Sequence, residues 1–361
     1  MASSAPPAAF LDVELASRFG ATLARRRRLP ASYRPGALEA QLDELSVLAQ
    51  ERVALEAGLV PPGPPRARVV DRGEWVAANV ATVERLLGPA MAKMAEHRRF
   101  TPPAALERIS RQSSAAQLGS VLAWLSGRVL GQYDLLVGEE ASVDEDVISY
   151  VGPNIVALEQ RHGFDPDQFR LWLALHETAH RAQFTAVDWV RPYFLSLIDQ
   201  VVSSIAVDSS AMLSNLLRSV RSVVESKSEV AELGLAALVA SPEQLDALRR
   251  LTALMSVLEG HGEVVMDEAA TDLVPDHRRF HEVLRDRRAS PGPLTKVLNQ
   301  LLGLDAKLRQ YEQGETFVRA LRTAGGPAMV RSLFDGPEQL PDLSELLEPT
   351  LWLERATPRV G

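Results

Sequence analysis

Residues 171–184 read LWLALHETAHRAQF, and this stretch decides what the rest of the chain has to build. On a helix, His176 and His180 stand one turn apart on one face. Both imidazoles can then reach a single tetrahedral zinc ion, while Glu177 lies beside them, placed to take a proton from water on the metal. The flanking Leu171, Trp172, Leu173, Ala174, Leu175, Ala182 and Phe184 predict that the helix is largely buried. Two histidines and a glutamate inside a core are costly without a partner, which argues for a metal over an ordinary solvated i,i+4 pair. Phe164-Asp165-Pro166-Asp167 supplies the start, with Pro166 suited to a first helical turn, and the helix is expected to run to about Phe184.

The chain has no cysteine, so a third protein ligand must be His, Asp or Glu. The densest remaining cluster is Leu258 to Glu268, LEGHGEVVMDE, set in apolar residues at helical spacing. At ~3.6 residues per turn, His261 lies about 200° around the helix from Glu259, whereas Glu263 and Asp267 share the face of Glu259 to within ~80°. Glu259 is the predicted third ligand, with Gly260 allowing close approach of the HExxH helix. Glu263 or Asp267 would then orient the ligating imidazoles, and His261 would turn into the core. His261 is the alternative ligand, with the acidic face then solvated. Gln183 could steady a ligand from behind, since ligating imidazoles usually donate their other N–H to an oxygen.

The wider chain has 361 residues, 46% hydrophobic and 24% charged, the balance of a globular protein with a sizeable core. A net charge of −8 gives nucleic-acid binding little support, and the Arg25–Arg28 run reads as a solvated helix end. The longest apolar stretch, around Leu233 to Ala240, is far short of the ~18 residues a membrane span needs, and residues 1–20 lack the basic start of a signal peptide. A cytoplasmic protein with neither nucleic-acid nor membrane partner is expected. Apolar periodicity predicts helices over about 37–57, 71–96, 104–124, 212–239, 242–271 and 304–323. Two short strands are expected within 129–137 and 147–151, making the protein mainly α with a small β-sheet.

These stretches together carry a resemblance. HETAHRAQF at 176–184, EGHGEVVMD at 259–267 and GLDAKLRQYEQGETFVRA at 303–320 resemble the bacterial zincin-like type 2 family of zinc metallopeptidases, which is also labelled as associated with the biosynthesis of a deazaflavin coenzyme. DRGEWVAAN at 71–79, LGQYD at 130–134 and VGPNI at 151–155 are similar to it as well, so the resemblance covers most of the chain. It implies a zincin-like metallopeptidase core with additional N-terminal helices. On that basis residues 1–100 are expected to form an N-terminal helical region and residues 101–361 the catalytic region. The sequence departs from the zincin pattern at Arg181, where an uncharged residue is usual, and in the 78 residues between His180 and Glu259.

The expected activity is zinc-dependent hydrolysis, with one zinc per chain and Glu177 as general base. Peptide hydrolysis is the leading expectation, with a small-molecule amide or ester as the alternative substrate. The alternative from another class is a zinc-binding scaffold with little or no turnover, although a purely structural site needs no base beside its ligands. Arg309, Tyr311, His277 and His281 are candidate donors to the oxyanion or substrate.

Overall fold

The computed structural model of the chain describes residues 11–96, 103–133, 146–203, 242–289 and 304–356. The helices are α1 (Val13–Arg25), α2 (Pro35–Ala57), α3 (Arg72–Glu96), α4 (Ala104–Leu125), α5 (Gly152–His162), α6 (Pro166–Thr185) and α7 (Val190–Ser203). They continue as α8 (Pro242–Ala270), α9 (His277–Ala289), α10 (Leu304–Ser332), α11 (Leu343–Leu347) and α12 (Pro349–Ala356). Three strands, β1 (Ala67–Val70), β2 (Gly131–Tyr133) and β3 (Ile148–Val151), complete a mainly α fold with a small sheet. The helix expected over 212–239 and the part of the first expected strand beyond Tyr133 lie outside the described residues.

The described chain divides into two compact units, residues 11–45 with 65–173 and residues 46–64 with 174–203, 242–289 and 304–356. In the first unit β3 is the central strand, parallel to β1 and antiparallel to β2, with Val70 opposite Val151 and Tyr133 opposite Ile148. Ile148, Tyr150 and Val151 have no exposed surface, which suits the β-branched and aromatic run that predicted this strand. The outward N–H groups of β1 are taken by helix carboxylates: Ala67 donates to Asp43 Oδ1 at 2.9 Å and Val69 to Glu39 Oε2 at 2.7 Å. Covering an edge in this way removes a template for strand addition.

Helices α1, α3 and α4 bury Leu11, Ala16, Ala24, Trp75, Val76, Val80, Ala115, Leu122 and Ala123 together with Val151. The start of α3 is a capping box. Asp71 Oδ1 accepts from the N–H of Glu74 at 2.8 Å, and Glu74 Oε2 accepts from the N–H of Asp71 at 2.6 Å. Arg25, the last residue of α1, adds a 3.1 Å ion pair to the same Asp71. Deeper in, Arg72 Nε donates to Asn154 Oδ1 at 2.7 Å, and Asn154 Nδ2 donates to the carbonyls of Ser126 and Val129 at 2.7 and 2.6 Å. This knot ties the beginnings of α3 and α5 to the turn after α4.

In the second unit α8 packs along α10 and α7. Its core includes Leu175, Ala179, Val190, Leu197, Leu254, Val257, Leu258, Val264, Met266, Phe280, Phe317, Leu321, Leu333 and Trp352. Helix α10 kinks at Gly326, where φ is 69° just ahead of Pro327. Indole N–H groups fasten the end of the chain: Trp189 donates to the Phe334 carbonyl at 2.8 Å and Trp352 to that of Gln339 at 2.7 Å. No helix among the described residues is long and apolar enough to cross a membrane.

Candidate metal centre

The predicted motif lies on the second half of α6. Ala174, Ala179 and Ala182 put small, buried side chains between its polar ones, so neighbouring elements can come close. Thr178 satisfies its own hydroxyl by donating to the Ala174 carbonyl at 2.6 Å, which keeps it out of the polar cluster. The rings of His176 and His180 meet edge to face with centroids 4.7 Å apart, and their Nε2 atoms are separated by 3.2 Å. Glu259 arrives from α8 with Oε2 3.6 Å from His180 Nε2. One ligand atom from each of His176, His180 and Glu259 lies within 4.8 Å of the others.

The donor set fits zinc. Ligands at ~2.0–2.1 Å in tetrahedral geometry stand about 3.3 Å apart, and two imidazoles with one carboxylate leave a fourth position for water or substrate. The electrostatics favour a cation as well. Burial works against the charged form of His180, but the Glu259 carboxylate beside it, the charge of Glu177 and the hydrogen bond to Gln183 outweigh burial and raise the imidazole to about 9. Glu177 itself is buried on the same helix.

Two glycines of α8 position the third corner. A Cβ at Gly260 would lie 2.1 Å from the carbonyl carbon of Gly314, and one at Gly314 would lie 1.9 Å from the Ser256 oxygen, so α8 and α10 cross backbone against backbone. From its place beside Glu259, Gly260 is expected to admit the HExxH helix. That role falls instead to Gly262, whose Cβ would stand 3.3 Å from His180 Cε1. The reason is rotation: two residues along a helix reverse the facing direction, so the two glycines serve opposite neighbours.

The other candidates are dispersed. His261 is 1% exposed, its ring edge against Phe334 with centroids 4.7 Å apart and its Nδ1 2.9 Å from Gln183 Nε2. Burial, together with the positive charges of His180 and Arg322, pushes it down to about 3, so it is neutral. Glu263 lies 3.7 Å from His281 Nδ1, and Asp267 pairs with Arg319 at 2.5 Å. His277 opens α9, and its buried Nδ1 has no hydrogen-bond partner. Arg309 and Tyr311 fall on α10 at positions whose side chains lie outside the described residues.

Gln183 is fully buried, with Oε1 3.0 Å from His180 Nδ1 and Nε2 2.8 Å from the Leu258 carbonyl. Arg181, the departure from the zincin pattern, turns away from the ligands. Its guanidinium donates to Gln50 Oε1 and, at 2.8 Å, to the Pro62 carbonyl. Two contributors escaped the sequence reading. The Leu258 carbonyl is a backbone group without a residue-type signal, whereas Gly262 was legible only as half of the Gly-His-Gly spacing.

No curated protein matches the chain. Among solved structures, a crystal structure from Chloroflexus aurantiacus described as "a putative hydrolase with a novel fold" superposes with a TM-score of 0.68 at 27% identity, covering 96% of this chain and 98% of that one. A family model described as zincin-like metallopeptidase matches residues 11–353. A match over nearly the whole length, on a chain that gathers two histidines and a glutamate around one point, places the protein in the zincin-like metallopeptidase family.

Proposed function

We propose that the protein is a zinc-dependent hydrolase in which His176, His180 and Glu259 hold the ion and Glu177 is the general base. The observation that carries this reading is the convergence of the three donor atoms within 4.8 Å, one residue away from a buried glutamate on the same helix. Zinc, when bound, lowers the pKa of water to about 7 and polarises a carbonyl. Glu177 takes the proton of the attacking water and returns it to the leaving amine or alkoxide. Buried surroundings limit the water that would otherwise compete for this carboxylate.

The substrate is a peptide or a small amide or ester. Metal analysis of the purified protein coupled to cleavage assays on a peptide library and a panel of small amides and esters tests both levels. About one zinc per chain is expected. Glu177→Gln should keep the metal and lose at least about a hundredfold in rate, the scale of a general base. Near-full activity in that variant would place the base elsewhere, and metal binding without turnover on any substrate would favour a scaffold.

A further inference from the structure

The Gln183 amide has three polar neighbours, and they do not tolerate both of its orientations. Its nitrogen lies 2.8 Å from the Leu258 carbonyl oxygen and 2.9 Å from His261 Nδ1, and its oxygen lies 3.0 Å from His180 Nδ1. An amide oxygen only accepts and an NH2 only donates, whereas an imidazole nitrogen does either according to where its hydrogen sits. The Leu258 oxygen is the one neighbour that can never donate. Turning the amide over would set two acceptors face to face at 2.8 Å inside a core, so the main chain fixes the side chain.

Both histidines are then determined. His180 Nδ1 faces an acceptor and carries a hydrogen. His261 Nδ1 faces a donor and carries the lone pair, which puts the hydrogen of this neutral ring on Nε2. That Nε2 is buried without a hydrogen-bond partner. An unsatisfied buried N–H is costly, and the arrangement places this cost on His261 rather than on the ligand.

We propose that Gln183 is a positioning residue: held by the Leu258 carbonyl and by His261, it keeps the hydrogen of His180 on Nδ1 and so leaves Nε2 as the electron-pair donor toward the point shared with His176 and Glu259. The inference rests on the zinc reading of the site. An unsupported neutral imidazole in water prefers its hydrogen on Nε2, the tautomer that would block that point. The Leu258 carbonyl also belongs to the residue just before Glu259. A single carbonyl on α8 thus fixes the orientation of a ligand on α6 while the next residue supplies the third ligand.

The test uses the full chain labelled with 15N at histidine, with zinc affinity measured by competition against a chelator. In the unaltered metal-free protein, His261 should show a bare Nδ1 and a protonated Nε2. Gln183→Leu should lower zinc affinity by about 10–100-fold, the usual effect of removing a group behind a ligating imidazole. A His261 hydrogen already on Nδ1 in the unaltered chain overturns the proposal, as does unchanged zinc affinity in Gln183→Leu. Should the leucine variant fail to fold, the His261 tautomer of the unaltered protein decides. An unaltered protein that takes up no zinc overturns the hydrolase reading instead. The tautomer then still supports the relay if the hydrogen is on Nε2 and overturns it if on Nδ1.

Discussion

Around Asn154 the buried polar groups complement one another, and around His180 they converge. In the first unit the Arg72 guanidinium meets an amide oxygen, and the amide NH2 meets two carbonyls at 2.7 and 2.6 Å, so donors and acceptors alternate and close on themselves. In the second unit two imidazole nitrogens 3.2 Å apart and a carboxylate oxygen 3.6 Å from one of them crowd into one place. The same inventory of polar side chains therefore does two jobs. A closed knot adds to stability, whereas a convergent one is favourable only with a cation at its focus.

The sharpest break in this contrast is His180→Ala. Zinc affinity should fall by far more than the ~100-fold typical of a group behind a ligand, while the metal-free protein, measured near pH 10 where the folded His180 with its value of about 9 is largely neutral, unfolds at the same denaturant concentration or a higher one. A large loss of metal-free stability would show that the histidines are structural. The reverse pattern is expected of Asn154→Leu, which strands a buried guanidinium and two carbonyls. It should cost about 3–5 kcal/mol in urea unfolding and leave the zinc affinity of the folded fraction unchanged.

Gly260→Ala should fall between these two. The added methyl has to displace Gly314 backbone, so a loss of about 1–3 kcal/mol is expected together with weaker zinc binding as Glu259 shifts. Loss of stability without any effect on zinc would separate the helix crossing from the site.

The smallest effect belongs to the cap of α3. Burial pushes the Asp71 carboxyl up, but the Glu74 N–H, the Arg25 guanidinium and the Gly73 N–H outweigh it and hold the group below its ordinary 3.8. A lowered folded-state value means stability that is fully present above the unfolded value and lost as pH falls through the folded one. Asp71→Ala should cost about 1 kcal/mol at neutral pH, and its difference from the unaltered protein in thermal melts should fade only below about pH 4.

The helices that frame the site were readable because their signals are local. In LWLALHETAH the apolar run and the i,i+4 histidines share one helix, and α2, α3, α4, α6 and α8 begin and end within a few residues of expectation. Strand β1 was not readable. It has four residues, only partly buried, and its partner β3 lies about eighty positions on, so no nearby pattern announces it. Helix α9, HRRFHEVLRDRRA, is too charged to show an apolar period. At the site, rotation about α8 separates His261 from the face of Glu259, and that calculation needs one helix only. The partner of Gly260 needed a second helix, fifty residues away, and could not be found in this way.

Where α8 and α10 cross at Gly260 and Gly314, no side chain stands between them. Packing between side chains can be retuned by degrees, a methylene at a time, as a protein diverges or is heated. The contact at Gly260 and Gly314 has no such intermediate settings, since it is either intact or broken. The two sides of the metal centre accordingly differ in how they can vary. Glu259 sits beside a hard stop, while the tilt of His180 depends on a glutamine that a few hydrogen bonds keep in place. Heat and sequence drift should therefore blur the imidazole side first, and changes in ion preference should be sought in the residues around Gln183 rather than along the glycine seam.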